Sequence, residues 1–363
     1  MPEFYCDNTN GNDGTGSGAW NDPYKTLQKC VDVASGGDTI WIGDTSAQVL
    51  AASISWGGGW GAGTSRDLPL IIRGWDYSAG EGVDGVGEID GNDAVVTLFA
   101  VAAIPSYVIL YRLKLHTTTG IVIDSSTYWN LFECEIYDGG TTLIDNAAQN
   151  QVVIGCEIHT TGGAGVHGME LGAFSFAMFN YIHGTTGAGV RLAGLNSVLA
   201  FNLIHSTDED GVSCLADDCL IVGNTIVGQS AATDDGIDVG SAIEGMFVFN
   251  NIITNWGTGG TGKGIDVPAG SNIFLIGHNH FFGNDGDEDI ATQFIDLGND
   301  QTTDPEFTNA GGEDYSVGSN CQDKGYPATF KGSSTASNLP TGASMYVAAA
   351  AVFNVIIGGG IVA

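Results

Sequence analysis

From residue 107 to about residue 290 the chain repeats one phrase of apolar and polar positions. Short alternating apolar runs open successive units at YVILYRLKLH (107), YWNLFECEIY (128), NQVVIGCEIH (150), FSFAMFNYIH (174), NSVLAFNLIH (196), DCLIVGNTIV (218), EGMFVFNNII (244) and SNIFLIGHNH (271). The period is about 22 residues in the middle and grows to about 27 at the end. The added residues fall in Gly/Asp/Thr segments such as TNWGTGGTGKG. Insertions confined to one segment of a repeat mark a loop on one face of a solenoid. Runs such as VLAFNLI and GVSCL alternate with a period of two, Gly, Asn, Asp and Thr separate them, and no unit holds a typical helix. The pattern predicts two or three short strands per coil, with coils stacked in parallel at roughly 4.8 Å. The predicted fold is all-β: a single-stranded parallel β-helix, right-handed by the general rule for parallel crossovers.

Two columns recur when the units are aligned. The first holds Cys134, Cys156, Asn180, Asn202, Asn224, Asn251 and Asn279. An inward asparagine at a turn can bond backbone groups that the turn leaves unpaired, and also the amide one coil along. This column sets the register. The second holds His116, His159, His183 and His205, with Tyr137 interrupting. Alternation points these rings outward. No carboxylate or cysteine is evident in that column, so a stack of rings is expected rather than a metal site.

The ends have a different grammar. FYC leads into a Gly/Asn/Asp loop, then PYKTLQKCVDVA, an amphipathic helix with Leu27, Val31 and Ala34 on one face, then the strand TIWIG. A helix there would cover the strand edges and core that an open solenoid end exposes. The boundaries are set at 1–37 for this cap, 38–300 for the β-helix, 301–345 for an irregular segment and 346–363 for an apolar tail. The cap, with its G-N-D-G loop, TLQ and GDTI, resembles the opening of the pectate-lyase-like right-handed β-helix superfamily. LPLIIRGWDYSAGEGVDGVGEIDGN resembles the coils that follow in those proteins. The resemblance covers roughly residues 4–300. It implies the fold and leaves the activity open, because that superfamily holds lyases, hydrolases, epimerases and non-enzymatic virion proteins. The closing segment, with CQDKG and GSSTASNLPTGA, resembles β-helix proteins of tailed bacteriophages, as does the start PEFYCDNTNGND.

Composition narrows the partners. Lys plus Arg total 10 against 42 Asp plus Glu, a formal charge of −32. Such a surface repels phosphate backbones, so nucleic acid is not an expected partner. It also repels an acidic polysaccharide unless cations bridge the two. The start of the chain has no basic stretch followed by an apolar one, so no secretory signal is expected. Seven scattered cysteines without a CxxC pair suggest buried reduced thiols. A Cys6–Cys30 disulfide is the alternative. The tail YVAAAAVFNVIIGGGIVA is uncharged, but GGG interrupts it and no basic cluster flanks it. A contact with sister subunits or a neighbouring protein is expected there rather than a membrane span.

Chemistry concentrates after the Gly-apolar step of each unit. His167, Arg191, Ser213, Asp238, Asp266 and Asp296 are expected to form an outward column, with Asp238 and Asp266 near 5 Å apart. Two carboxylates at that separation suit a retaining glycosidase. Asp234, Asp235, Asp208, Glu209 and Asp210 lie in adjoining loops. Polygalacturonase-type hydrolases cluster aspartates on such a face, but their Gly-His-Gly and Arg-Ile-Lys motifs are missing here. A lyase needs a base for the proton α to a uronate carboxylate. The coils offer Arg112, Lys114, Arg191 and Lys263, of which Arg191 looks best placed. The acidic loops 283–290, with Asp285, Asp287 and Asp289, and 7–13 suit calcium through oxygen ligands. No cofactor is required. The first expectation is a non-enzymatic structural protein of a virus-like particle, a capsid decoration or a tail fibre or spike. It would be homo-oligomeric, a trimer by preference, joined to other virion proteins through 346–363, and would touch surface polysaccharide. The alternative is an extracellular polysaccharide-degrading enzyme, hydrolase before lyase, using Asp235, Asp238, Asp266 and Arg191.

Overall fold

The computed structural model describes residues 2–56, 67–92, 97–99, 107–116, 120–124, 128–145, 149–229, 234–257, 261–291, 294–298, 300–317 and 321. The apolar tail 346–363 and most of 301–345 lie outside them. Two compact units divide the chain, Met1–Gly172 and Ala173–Ala363.

In the first unit the chain winds through three parallel sheets, one strand of each per full coil. The first sheet stacks Glu3–Cys6, Thr39–Gly43, Leu70–Trp75, Val108–Tyr111, Trp129–Phe132 and Val152–Ile154. The second runs from Gln48–Val49 through Gly87–Asp90, Leu113–His116 and Glu135–Gly139 to Glu157–Thr161. The third joins Thr97–Phe99, Ile121–Asp124, Ile144–Asp145 and Met169–Leu171. Alternation decides the core. Leu70, Ile72, Val108, Leu110, Trp129 and Leu131 point inward and are fully buried, while their neighbours are not.

Helix α1 spans Leu27–Val33, shorter than the sequence pattern suggests. The reason is its cap. The Thr26 side chain accepts from the Lys29 N–H, while Asp13 accepts from the Lys25 and Thr26 N–H groups and from the Thr26 hydroxyl. These bonds hold Lys25 and Thr26 outside the helix. Leu27, Cys30 and Val31 are its buried face, and Ala34 is the extended C-cap. All seven cysteines are buried free thiols, Cys6 and Cys30 included. No described helix is long and apolar enough to cross a membrane.

The second unit repeats the plan. Its first sheet stacks Phe176–Met178, Val198–Ala200, Leu220–Val222, Met246–Phe249, Ile273–Gly277 and Ile295–Asp296. Its second stacks Tyr181–His183, Leu203–His205, Thr225–Val227, Ile252–Thr254 and His280–Phe282. Its third stacks Val190–Leu192, Val212–Cys214, Ile237–Val239, Lys263–Val267 and Gly286–Ile290.

The asparagine column sits at the turn from first to second sheet. Each asparagine follows a residue in the left-handed region: Phe179, Phe201, Gly223, Asn250 and His278, with φ between 56° and 67°. That residue reverses the chain and strands the next N–H. The Asn180 N–H and amide both donate to Asn202 Oδ1, each at 2.9 Å. Asn202 does the same to Asn224, Asn224 to Asn251 and Asn251 to Asn279. The ladder ends on a carboxylate, since the Asn279 N–H donates to Asp300. Asn224 is fully buried, and Asn224→Ala removes the acceptor of two donors in Asn202. A stability loss of about 2–4 kcal/mol is expected from those orphaned groups, read as a lower urea midpoint. An unchanged midpoint would remove the ladder from the account of stability.

Candidate functional site

The outward face of the third sheet in the second unit carries the chemistry, and local sequence explains its shape. Asp210-Gly211-Val212, Asp235-Gly236-Ile237 and Lys263-Gly264-Ile265 are three versions of one phrase. In each, the apolar residue starts into the core, and the glycine has no room for a side chain. A Cβ on Gly211 would collide with Ile226 and the Gly236 carbonyl, and one on Gly236 with Ile253 and the Gly264 carbonyl. The polar residue before the glycine is therefore set at the corner. The Asp235 N–H donates to Asp210 Oδ1 at 2.9 Å, and the Lys263 N–H donates to Asp235 Oδ1. Each aspartate thus ties its coil to the next through one oxygen.

Beside this corner runs the strand column Arg191, Ser213, Asp238, Asp266, Asp289, each residue in register with the next. Strand stacking brings Asp238 and Asp266 side by side, and Asp235 reaches them from the corner. Ligand oxygens of Asp235, Asp238 and Asp266 all lie within 4.8 Å of one another, a three-carboxylate cluster found once among the described residues.

Electrostatics follow from that crowding. Burial pushes the Asp210 carboxyl up to about 7, and the charges of Asp238, Asp235 and Asp234 add to it. Asp235 is raised to about 6, mostly by burial and then by Asp266, Asp238 and Asp234. Asp238 is raised by burial and by Asp266. Asp266 is raised by burial and by Asp289, with the Lys263 ammonium pulling the other way. Half-buried like charges held together are poised to bind a proton or a cation.

The sequence-based set is only partly brought together. Asp235, Asp238 and Asp266 converge; Arg191 shares their column but is two strands from Asp238, with Ser213 between. Lys263, not Arg191, is the cation whose charge reaches the cluster: it acts on Asp266, while its side chain lies over Gly286 of the next coil. Asp296 is not in the column: it pairs with Ile276 in the first sheet, and Asp289 takes the place assigned to it. His167 precedes its strand, whose outward position is Glu170. Asp285, Asp287 and Asp289 are exposed and follow one another along a single strand and its approach, so strand geometry spreads them out instead of closing them around one ion. In the 7–13 loop the carboxylates of Asp7 and Asp13 serve the chain's own hydrogen bonds. Asp7 accepts from the Thr9 and Asn10 N–H groups, the Asn10 amide and the Thr45 hydroxyl, and Asp13 caps α1.

The histidine row is a stack of rings, as its spacing suggested. His116, Tyr137 and His159 stack at 4.6 and 5.2 Å, and His183 stacks on His205 at 5.3 Å. Carboxylates do accompany it: Glu88 meets His116 at 3.0 Å and Glu135 meets His159 at 3.2 Å. They come from the same outward face two residues earlier on their strands. His205 is covered by Tyr315 of the irregular segment, and burial lowers its imidazole to about 4.

Sequence reasoning missed Lys263 as a neighbour of the cluster. The triplet of corner phrases carried that signal, because it aligns Lys263 with Asp235 and Asp210.

The family model described as "Right handed beta helix region" matches residues 119–285. The fold is a right-handed parallel β-helix. The same β-helix is seen in solved structures of low sequence identity. Pectate lyase Pel9A aligns with a TM-score of 0.62 at 11% identity, covering 94% of this chain and 96% of that one. The GH136 lacto-N-biosidase from Eubacterium ramulus aligns with a TM-score of 0.54 at 13% identity, over 83% of this chain and 67% of that one. ORF18 of Geobacillus virus E2 aligns with a TM-score of 0.51 at 12% identity, over 78% of this chain and 59% of the viral protein. These likenesses concern the fold. No curated protein matches the β-helix by sequence.

Proposed function

We propose that this β-helix is a cation-dependent polysaccharide lyase acting on an acidic, uronate-containing polymer. The observation that carries the reading is the Asp235, Asp238 and Asp266 cluster with Lys263 beside it. The donor set fits calcium. All three ligands are hard carboxylate oxygens, and two oxygens bound to one calcium stand at most roughly 5 Å apart, against 4.8 Å in the cluster. The residues Asp235, Asp238 and Asp266 would hold the ion. When bound, calcium supplies positive charge that offsets the carboxylates, binds the substrate carboxylate and acidifies the C–H next to it.

The chain's own groups do the rest. Lys263 Nζ, in its neutral form, takes the proton from C5, α to the uronate carboxylate. The C–H electrons form the C4–C5 double bond as the C4–O bond to the next sugar breaks. The departing oxygen is protonated from solvent. A retaining hydrolase would instead need one carboxyl of the cluster kept protonated beside its ionised partner. Three carboxylates around a cation are all ionised, which favours elimination. Structures similar in fold include carbohydrate-acting enzymes, which supports an enzymatic reading without naming a substrate.

A second reading is a non-enzymatic virion protein that oligomerises and attaches through 346–363. It is supported by the fold likeness to a viral protein and by the resemblance of both ends to bacteriophage β-helix proteins. It gives the carboxylate cluster no task. The test is incubation with polygalacturonate, alginate and neutral polysaccharides, with calcium or with chelator. Unsaturated products from an acidic polymer, lost on chelation, are expected. Reducing ends without unsaturation would replace lyase by hydrolase, and no cleavage of any polymer would leave the virion reading.

A further inference from the structure

The proposed chemistry leaves Arg191 over. Among the described residues of the second unit, Arg191 and Lys263 are the only Lys or Arg side chains. In a chain of charge −32, both lie on the outward face of one sheet, and that sheet also holds the carboxylate cluster. Arg191 stands between the buried Val190 and Leu192, so the strand aims it outward. Its register neighbour toward the cluster is Ser213, small and uncharged, and only then comes Asp238. Two strand steps separate Arg191 from Asp238, roughly 9.6 Å at the usual stacking distance.

We propose that Arg191 is the carboxylate anchor of a second sugar subsite, so that the acidic polymer lies along this column, parallel to the stacking axis of the coils. The proposal rests on the lyase reading above and adds the direction of the substrate and the residue that selects it. Three features support it. A guanidinium presents a planar fork that matches a carboxylate with two parallel hydrogen bonds. Ser213 puts a small, uncharged side chain on the intervening coil between Arg191 and Asp238. A polymer in a two-fold conformation turns every second carboxylate to the same side, and two coils separate Arg191 from Asp238, the nearer edge of the cluster that would hold the cation. Arg191 is thus a binding residue, and Lys263 remains the base.

The test uses the full chain with saturating calcium and oligogalacturonides of increasing length. Arg191→Ala is expected to raise KM for long oligomers and the Kd for a non-cleaved long oligomer roughly ten- to a hundredfold. Changes in kcat and in calcium affinity by calorimetry are expected to be small. Oligomers too short to span two coils are expected to show no change. Arg191→Lys should recover part of the loss, since it keeps the charge and loses the fork. A penalty equal for short and long oligomers, or none at all, would overturn the subsite while leaving the lyase reading intact. Wild-type protein that neither binds nor cleaves acidic oligomers would sink both.

Discussion

Lys263→Ala is expected to lower kcat on the acidic polymer roughly 10²–10⁴-fold, with calcium binding retained. The physical basis is the site's asymmetry. Among the described residues, the charges that act on the cluster are carboxylates apart from Lys263, and burial and mutual repulsion push Asp210, Asp235, Asp238 and Asp266 toward protonation. With a cation bound Asp235, Asp238 and Asp266 are ligands and cannot remove a proton. Lys263 is anchored where it is because its N–H is taken by Asp235 and its carbonyl accepts from the Gly236 N–H at 2.8 Å. The alanine variant keeps both backbone bonds, so folding should survive. Removing the ammonium also removes the positive charge that opposes the rise at Asp266, so calcium affinity should hold or increase. Lys263→Arg should be as inactive as alanine, because a guanidinium does not give up its proton. Steady-state kinetics and calorimetric calcium titration on the same samples separate these effects. Retention of most activity by Lys263→Ala would remove the lysine from the mechanism.

The second large effect is on stability. In chelator at pH 7, Asp210→Asn is expected to stabilise the protein by about 1–3 kcal/mol. Burial raises the Asp210 carboxyl to about 7 in the folded state, against about 3.9 in an unfolded chain. Between those values the folded state binds more protons than the unfolded one. Stability therefore falls as pH rises from about 4 to 7, and the penalty is complete above the folded value. An asparagine keeps the acceptor for the Asp235 N–H and carries no charge to bury. Asp235, Glu288 and Asp300, raised to about 6, 7 and 6, act in the same sense. His205 opposes them: its folded value near 4 lies below the unfolded one, so it adds stability as pH rises toward 6.5. The difference between variant and wild type cancels these shared groups. Thermal midpoints across pH 4.5–8 should diverge upward for Asp210→Asn. A variant less stable than wild type at pH 7 would show that the Asp210 charge is compensated in the folded state.

Much of this was legible because a solenoid translates sequence period directly into spatial neighbourhood. Asn180, Asn202 and Asn224 share a phrase, so they share a place, and alternation alone assigns Asp238 and Asp266 to one outward column. Legibility stopped where the period is interrupted. The sequence offers Asp296 for the column because its Ile-Asp step repeats those of Asp238 and Asp266. The GNDGDEDI segment makes the strand there instead, and Asp289 is its outward member. Asp300 as the end of the asparagine ladder and Tyr315 over His205 were likewise out of reach, because neither lies in a repeat.

By itself the sequence determined the coil: its period, the inward and outward sense of each strand residue, and the turn that needs an asparagine. These follow from short-range geometry, where one residue step reverses the face and one repeat advances one strand. Only the tertiary structure decided which outward residues meet. Asp235 sits at a corner and Asp238 and Asp266 on strands, and whether a corner side chain reaches a strand column depends on how the chain bends around the Gly236 and Gly264 backbones. That bend gathers three carboxylates around one point with the Lys263 charge acting on Asp266, and leaves Arg191 two coils from Asp238 on the same face.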